Sequence, residues 1–134
     1  MAHFAVIDEN DVVTNVLVIA DADCLDGDGN ESESVGQAFC TTLWGSGNYV
    51  QTSYNSTFRK QFAHMGGTFD ATKNKFINMK PHASWALDGN DDWMPPVALP
   101  DDAKENIGAD GKNYMWNEVD YQADNANGWE DFGV

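Results

Sequence analysis

No lysine or arginine occurs before Arg59, so residues 1–58 carry nine acids and a charge of −9. Over the whole chain seven bases face 22 acids, for a net charge of −15. That balance argues against a nucleic-acid partner, because neutralising phosphates takes Lys and Arg. Cysteine is scarce as well: Cys24 and Cys40 are the two present, too few for a disulfide scaffold. A chain made in the cytoplasm is expected to keep them as free thiols. Neither a basic-then-apolar leader nor an apolar run of membrane length occurs, so no signal peptide and no membrane partner is expected. Enzymatic signatures are missing too. Gly45-Ser46-Gly47 lacks the G-x-S-x-G elbow, no Gly-rich phosphate loop is present, and no acid stands out as half of a glycosidase pair. The expectation is a non-enzyme without catalytic residues or a cofactor.

Aromatic residues are what the chain has. Seven Phe, five Trp and four Tyr, in a sequence 42% hydrophobic, suit a β-rich protein with a real core. Its 134 residues fit one domain with a small appendage. The fold expected is α+β, mostly β, made of antiparallel hairpins with aromatic pairs and one short helix near residues 34–44. The boundaries read as a main domain over 1–94, an extended connector over 95–112 and a C-terminal hairpin over 113–134.

HFAVIDENDVVTNVLVIA, residues 3–20, reads as a hairpin turning near Glu9-Asn10. Its second arm is apolar on both faces, with Val12, Val16 and Val18 on one and Val13, Leu17 and Ile19 on the other. That pattern predicts a central, covered strand. In SVGQAFCTTLWG, Val35, Phe39 and Leu43 recur every four residues, which predicts a helix. Ser34 and Gln37 form its capping box and Gly45 its stop. YVQTSY alternates as a strand, and GTFDATKNKFIN places Phe69 and Phe76 on the arms of a second hairpin. SWALDGNDDWMPP is a third. An odd loop of three or five residues sets Leu87 opposite Trp93, with Trp85 on the same face; a two-residue Gly89-Asn90 turn sends Trp93 to the other side. A fourth hairpin carries Trp116 and Trp129, with Asn127-Gly128 near the return. PPVALPDDAKENIGADG lies between the last two as the stiff connector.

Two clusters stand out as interaction candidates. Arg59, Lys60, Lys73, Lys75 and Lys80 gather five of the seven bases into residues 59–80, where only Asp70 opposes them. They serve either as internal compensation on a hairpin surface or as a docking patch for an acidic neighbour, with Arg59, Lys60, Lys73 and Lys75 as the interface candidates. Trp85, Trp93, Trp116 and Trp129 are either glue for hairpins, a core or an interface, or an open platform for sugars. The acidic loop supplies a weak Ca²⁺ candidate in Asp21, Asp23, Asp26 and Asp28. Asp26, Asp28 and Asn30 match the first ligand positions of an EF-hand, but Glu31 stands where Gly is needed and Gln37 where a bidentate Glu is needed. No zinc site is expected, since His3, His64 and His82 show no ligand spacing.

GNESESVGQAFC, YVQTSYN, FRKQFAHMGGTFDATKNKFI, the S-W-x-L-D…W-x-P-P pattern and YMWNE together resemble small proteins of marine tailed bacteriophages, especially those infecting cyanobacteria. The resemblance covers roughly residues 1–130 and brings no catalytic residue with it. It implies a structural protein of the virion, made in the host cytoplasm. The partners expected are other virion proteins, either the major capsid protein or a tail or neck protein, in a multi-copy arrangement. The leading expectation is a capsid decoration or cement subunit; the alternative is a tail-, neck- or fibre-associated module that recognises host-surface glycans.

Overall fold

AHFAVI forms β1 (Ala2–Ile7), and a tight turn leads to β2 (Val13–Ile19). A short 3-10 helix (Asp21–Cys24) precedes α1 (Glu33–Trp44), and β3 (Asn48–Thr52) follows. Two three-residue strands, β4 (Thr68–Asp70) and β5 (Lys75–Ile77), complete the unit Met1–Met79. The second unit, Lys80–Val134, holds β6 (Ala86–Leu87), β7 (Trp93–Met94), β8 (Tyr114–Trp116), α2 (Glu118–Ala123) and β9 (Trp129–Asp131). The computed structural model describes residues 1–105 and 109–133. The fold is mostly β with small antiparallel sheets and two helices, the α+β class the sequence predicts.

In the first unit the strand order is β2-β1-β3, all antiparallel. The central strand is therefore β1, and β2 is an edge strand, which corrects the sequence reading. The cause is a β-bulge. Val6 pairs with Asn15 but Ile7 pairs with Val13, so Thr14 is an extra residue. One inserted residue reverses the alternation, and Val13 turns to the face opposite Leu17 and Ile19. The two-faced apolar pattern of β2 thus records a change of face partway along the strand.

Both faces of β1 are covered. On one, Ala2 and Phe4 pack with Ile19, Cys24, Cys40 and Tyr49 beneath α1. On the other, Ala5 and Ile7 join Val13, Val50, Ala63, Phe69 and Phe76. Phe4 is fully buried, and burial of a side chain of that size contributes about 1.5–3 kcal/mol.

The contact face of α1 also differs from the expected stripe. Gly36 and Cys40, four residues apart, are its buried residues, whereas Leu43 is 58% exposed. A Cβ on Gly36 would run into the Phe4 ring and come within 2.9 Å of Cys24 Sγ. The helix lies so close to the sheet that Gly36 and Cys40 make its buried contact; of the expected stripe, Phe39 packs half-buried against the same cluster and Leu43 stays outside it. Its N-cap is Ser32, whose hydroxyl accepts the Val35 N–H, rather than Ser34. Gly45, with φ 94°, stops the helix as predicted.

The β4–β5 hairpin pairs Phe69 directly with Phe76, their ring centroids 4.8 Å apart. In the second unit Leu87 stands opposite Trp93 across the five-residue loop Asp88–Asp92, the odd-loop register read from the sequence. Trp116 pairs with Trp129, but the return between them contains α2, capped by the Asn117 side chain, which the sequence reading missed. The dividing line at Met79/Lys80 puts the β6–β7 hairpin with the C-terminal residues, instead of a boundary at residue 94. Nor do the described residues of 95–112 form a plain extended connector. Lys112 N donates to Asp102 O (2.7 Å) and Lys104 N to Lys112 O (2.9 Å), which closes a loop. Residues 106–108 of the expected connector lie outside the described residues.

One turn occurs three times. In Asp8–Val12, Asp26–Asn30 and Asp88–Asp92, the leading Asp Oδ1 accepts backbone N–H bonds from the second and fourth residues after it, at 2.8–3.0 Å. Its backbone N–H donates to the carbonyl four residues on, and the third residue after it has positive φ: Asp11 63°, Gly29 81°, Asp91 59°. A short acidic side chain that satisfies two N–H groups is the reason aspartate heads each one.

Candidate interaction surfaces

The basic island divides by burial. Arg59 is drawn inward, with side-chain exposure of 18%. Its guanidinium pairs with the Glu33 carboxylate, donates from Nη1 to Gln51 O (2.8 Å) and from Nε to Asn74 Oδ1 (2.9 Å), and lies 5.4 Å from the Phe69 ring centroid. Glu33 in turn accepts the Gln51 N–H at 2.7 Å. Burial pushes the Glu33 carboxyl up, but the bonds from Arg59 and Gln51 and the Arg59 charge outweigh it and hold it below its ordinary value. Arg59 thus performs the internal compensation. Lys60 and Lys75 are half-buried, and Lys73 and Lys80 are exposed.

These contacts also treat the two sides of the sheet differently. On the outer side of β3, Gln37 Nε2 donates to Tyr49 O (2.7 Å), while Glu33 and Arg59 occupy Gln51 N and O. Side chains fill the places another strand would take. On the outer side of β2, Val13 exchanges bonds with Gly66 and Gly67, and the Asn15 side chain takes the Val16 N–H at 2.8 Å. Beyond that, among the described residues, the sheet order ends at β2, with Val18 48% exposed.

Three of the four candidate tryptophans meet. Trp116 contacts Trp129 at 5.2 Å and Trp85 at 5.9 Å edge-to-face, and Trp85 contacts Trp129 at 6.3 Å. His82 and Tyr121 flank them. Gly128, at φ 144°, leaves room for the Trp116 ring, which a Cβ there would strike. Glu118 organises the polar side: its carboxylate accepts from Gln122 Nε2 (2.6 Å), Trp116 Nε1 (3.0 Å), Ser84 Oγ (2.7 Å) and Ser84 N (3.3 Å). Those bonds, led by that from Gln122, lower its pKa to about 2. Trp129 Nε1 donates to Val97 O, whereas the buried Trp85 Nε1 has no hydrogen-bond partner among the described residues. Trp93 sits instead with the Lys80 ammonium 5.9 Å from its ring centroid. Mutual packing of Trp85, Trp116 and Trp129 is the arrangement of glue.

The four aspartates of the calcium candidate have separate tasks. Asp21 pairs with the N-terminal ammonium at 2.7 Å, and Asp26 heads its turn. Asp23 lies half-buried in the 3-10 helix and Asp28 exposed within the turn. Among the described residues no group of three or more His, Cys, Asp or Glu is placed to hold a metal. Cys24 and Cys40 are free and buried in one cluster, and burial first of all pushes both thiols up.

Sequence reading overlooked one surface. Tyr54, just past β3, is 68% exposed, yet its ring stacks on His3 at 5.5 Å with 26° between planes. Phe62 meets both rings edge-on at 5.4 and 5.5 Å. Beside Tyr54 opens a cleft of about 200 Å³, lined in part by Glu31, Gln51, Ser53, Asn55, Thr57 and Phe58. The signal available in the sequence was YVQTSYN, an aromatic set among amide and hydroxyl side chains.

No family model matches the chain, and neither the curated proteins nor the solved structures contain a match.

Proposed function

We propose that the chain is a virion structural protein of a tailed bacteriophage, a decoration or cement subunit that binds the head lattice in many copies. The sequence resemblance motivates the reading. The observation that carries it is the outer side of β2 past the Val12–Thr68 bridge, a strand edge bearing exposed Val18 beyond which the sheet order has no further strand among the described residues. Edges of this kind add a partner strand through backbone hydrogen bonds. Lys73 and Lys75 on the β4–β5 hairpin contribute the charge that attracts an acidic neighbour.

Mass spectrometry of purified particles tests the reading. Copy numbers matching the head lattice support it, and absence from the particle overturns it. Val18→Lys places a charge on the edge and is expected to reduce incorporation, as is the double variant Lys73→Glu/Lys75→Glu. The Tyr54 cleft favours a second reading, a tail-, neck- or fibre-associated module, for which copy number would follow the tail symmetry.

A further inference from the structure

We propose that the cleft beside Tyr54 binds a neutral sugar ring, stacked on Tyr54 and held by Glu31, Gln51, Ser53 and Asn55. A pyranose presents an apolar C–H face and a rim of hydroxyls, so it needs an exposed aromatic face with amide, hydroxyl or carboxylate groups around it. Tyr54 supplies the face, and its orientation is fixed before any ligand arrives. His3 stacks on the ring and Phe62 packs against it at 67°, which removes much of the ordering cost of binding.

The rim is ordered as well. Gln51 Nε2 donates to Glu31 Oε1 at 2.7 Å, and the Ser53 and Thr57 hydroxyls lie 2.8 Å apart. Ser53 Oγ also accepts the Thr57 N–H at 3.0 Å. Gln51, Thr52 and Ser53 are buried at the base of the cleft.

Size and charge narrow the ligand. About 200 Å³ is below the ~300–1,000 Å³ of pockets for drug-sized molecules, so one ring is the scale of the ligand. Glu31 lines the cleft, and residues 1–58 supply no lysine or arginine. Burial, then the N-terminal ammonium, holds the His3 pKa below its ordinary value, so the imidazole is neutral at neutral pH. The Met1 ammonium at the cleft is taken up by Asp21 at 2.7 Å, so among the described residues carboxylated and sulfated sugars find no uncommitted cation in the lining. The inference rests on the cleft alone; it suits the tail-associated reading better and does not require it.

Saturation-transfer NMR on the full chain tests it, with methyl glucopyranoside, methyl mannopyranoside and methyl galactopyranoside as neutral probes and glucuronic and N-acetylneuraminic acids as acidic ones. Transfer to the ring C–H protons of at least one neutral probe is expected. Affinity should fall about tenfold in Tyr54→Ala, the scale of a lost aromatic contact. Tyr54→Phe should retain binding, and Trp44→Ala, a change to an exposed aromatic on α1, should leave it unaltered. Tyr54→Leu keeps apolar bulk against His3 and Phe62, so it separates loss of the ring face from loss of fold. A polysaccharide of the bound sugar, run alongside, distinguishes a residue within a glycan from a free sugar. Transfer to acidic probes alone, to no probe, or undiminished in both Tyr54→Ala and Tyr54→Leu would overturn the proposal. Particle copy number is independent of every one of these outcomes.

Discussion

The units Met1–Met79 and Lys80–Val134 use similar ingredients in different places. The first has a sheet of strands five to seven residues long beside the short β4–β5 hairpin, a twelve-residue helix and fully buried Phe4, Cys24 and Cys40. The second has strands of two or three residues and a six-residue helix, so little backbone pairing supports it. Trp116 at 9% exposure is its one buried large apolar side chain among the described residues. In place of a layered core it has rings packed edge-to-face and a carboxylate that accepts four bonds. A short hairpin is marginal in water; aromatic contacts and a shared acceptor supply what ladder length does not.

Removing the centre of each unit breaks the comparison most directly. Phe4→Ala leaves a cavity beneath α1 and should cost about 4–5 kcal/mol, read from urea unfolding followed by far-UV circular dichroism. Trp116→Ala should cost about 3 kcal/mol, less because the ring is not fully buried. It should also shift the indole N–H resonances of Trp85 and Trp129, and unshifted resonances would contradict the cluster. A smaller effect probes what the units share. Asp8→Ala and Asp88→Ala each remove a side chain that accepts two backbone N–H bonds, so both should cost about 1 kcal/mol despite sitting in different units. Unequal costs would mean the shared turn geometry does not set the energy.

The last contrast is read in acid, where a stabilisation present at neutral pH is lost. The Glu118 pKa falls to about 2 in the folded chain, so the unfolded chain binds its proton first. The stabilisation is present above the ordinary carboxylate range near 4.5 and is lost as pH drops from there towards 2. An acid titration of tryptophan fluorescence should show this loss, and Glu118→Gln should flatten it. Glu33, also lowered, gives the first unit an acid sensitivity of the same sign that Glu118→Gln leaves in place.

Local pairing was the legible part of this fold. Phe69 against Phe76 and Leu87 against Trp93 follow from strand alternation and the parity of a loop. Features that depend on a single inserted or missing atom group were hidden. Thr14 looks like any strand residue, yet as the bulge it moves Val13 to the other face. Gly36 looks like a weak helix position, yet its lack of a side chain selects the buried face of α1. EVDYQA has too few turns for a helical period to show, so α2 escaped notice. Of the candidate sites, the mutual packing of Trp85, Trp116 and Trp129 was anticipated as one of two options. Tyr54 was absorbed into a strand pattern, because nothing in YVQTSYN says that the strand ends at Thr52.

The unequal sides of the β2-β1-β3 sheet set a limit on growth. A sheet open at both sides is a template that copies itself indefinitely. Here addition begins at β2 alone, since Gln37, Glu33 and Arg59 stand where a strand would join β3. A second copy joined at β2 through a twofold axis uses up both growing sides at once, and the array terminates at two. Strand addition to this sheet would therefore stop after one partner instead of propagating along it.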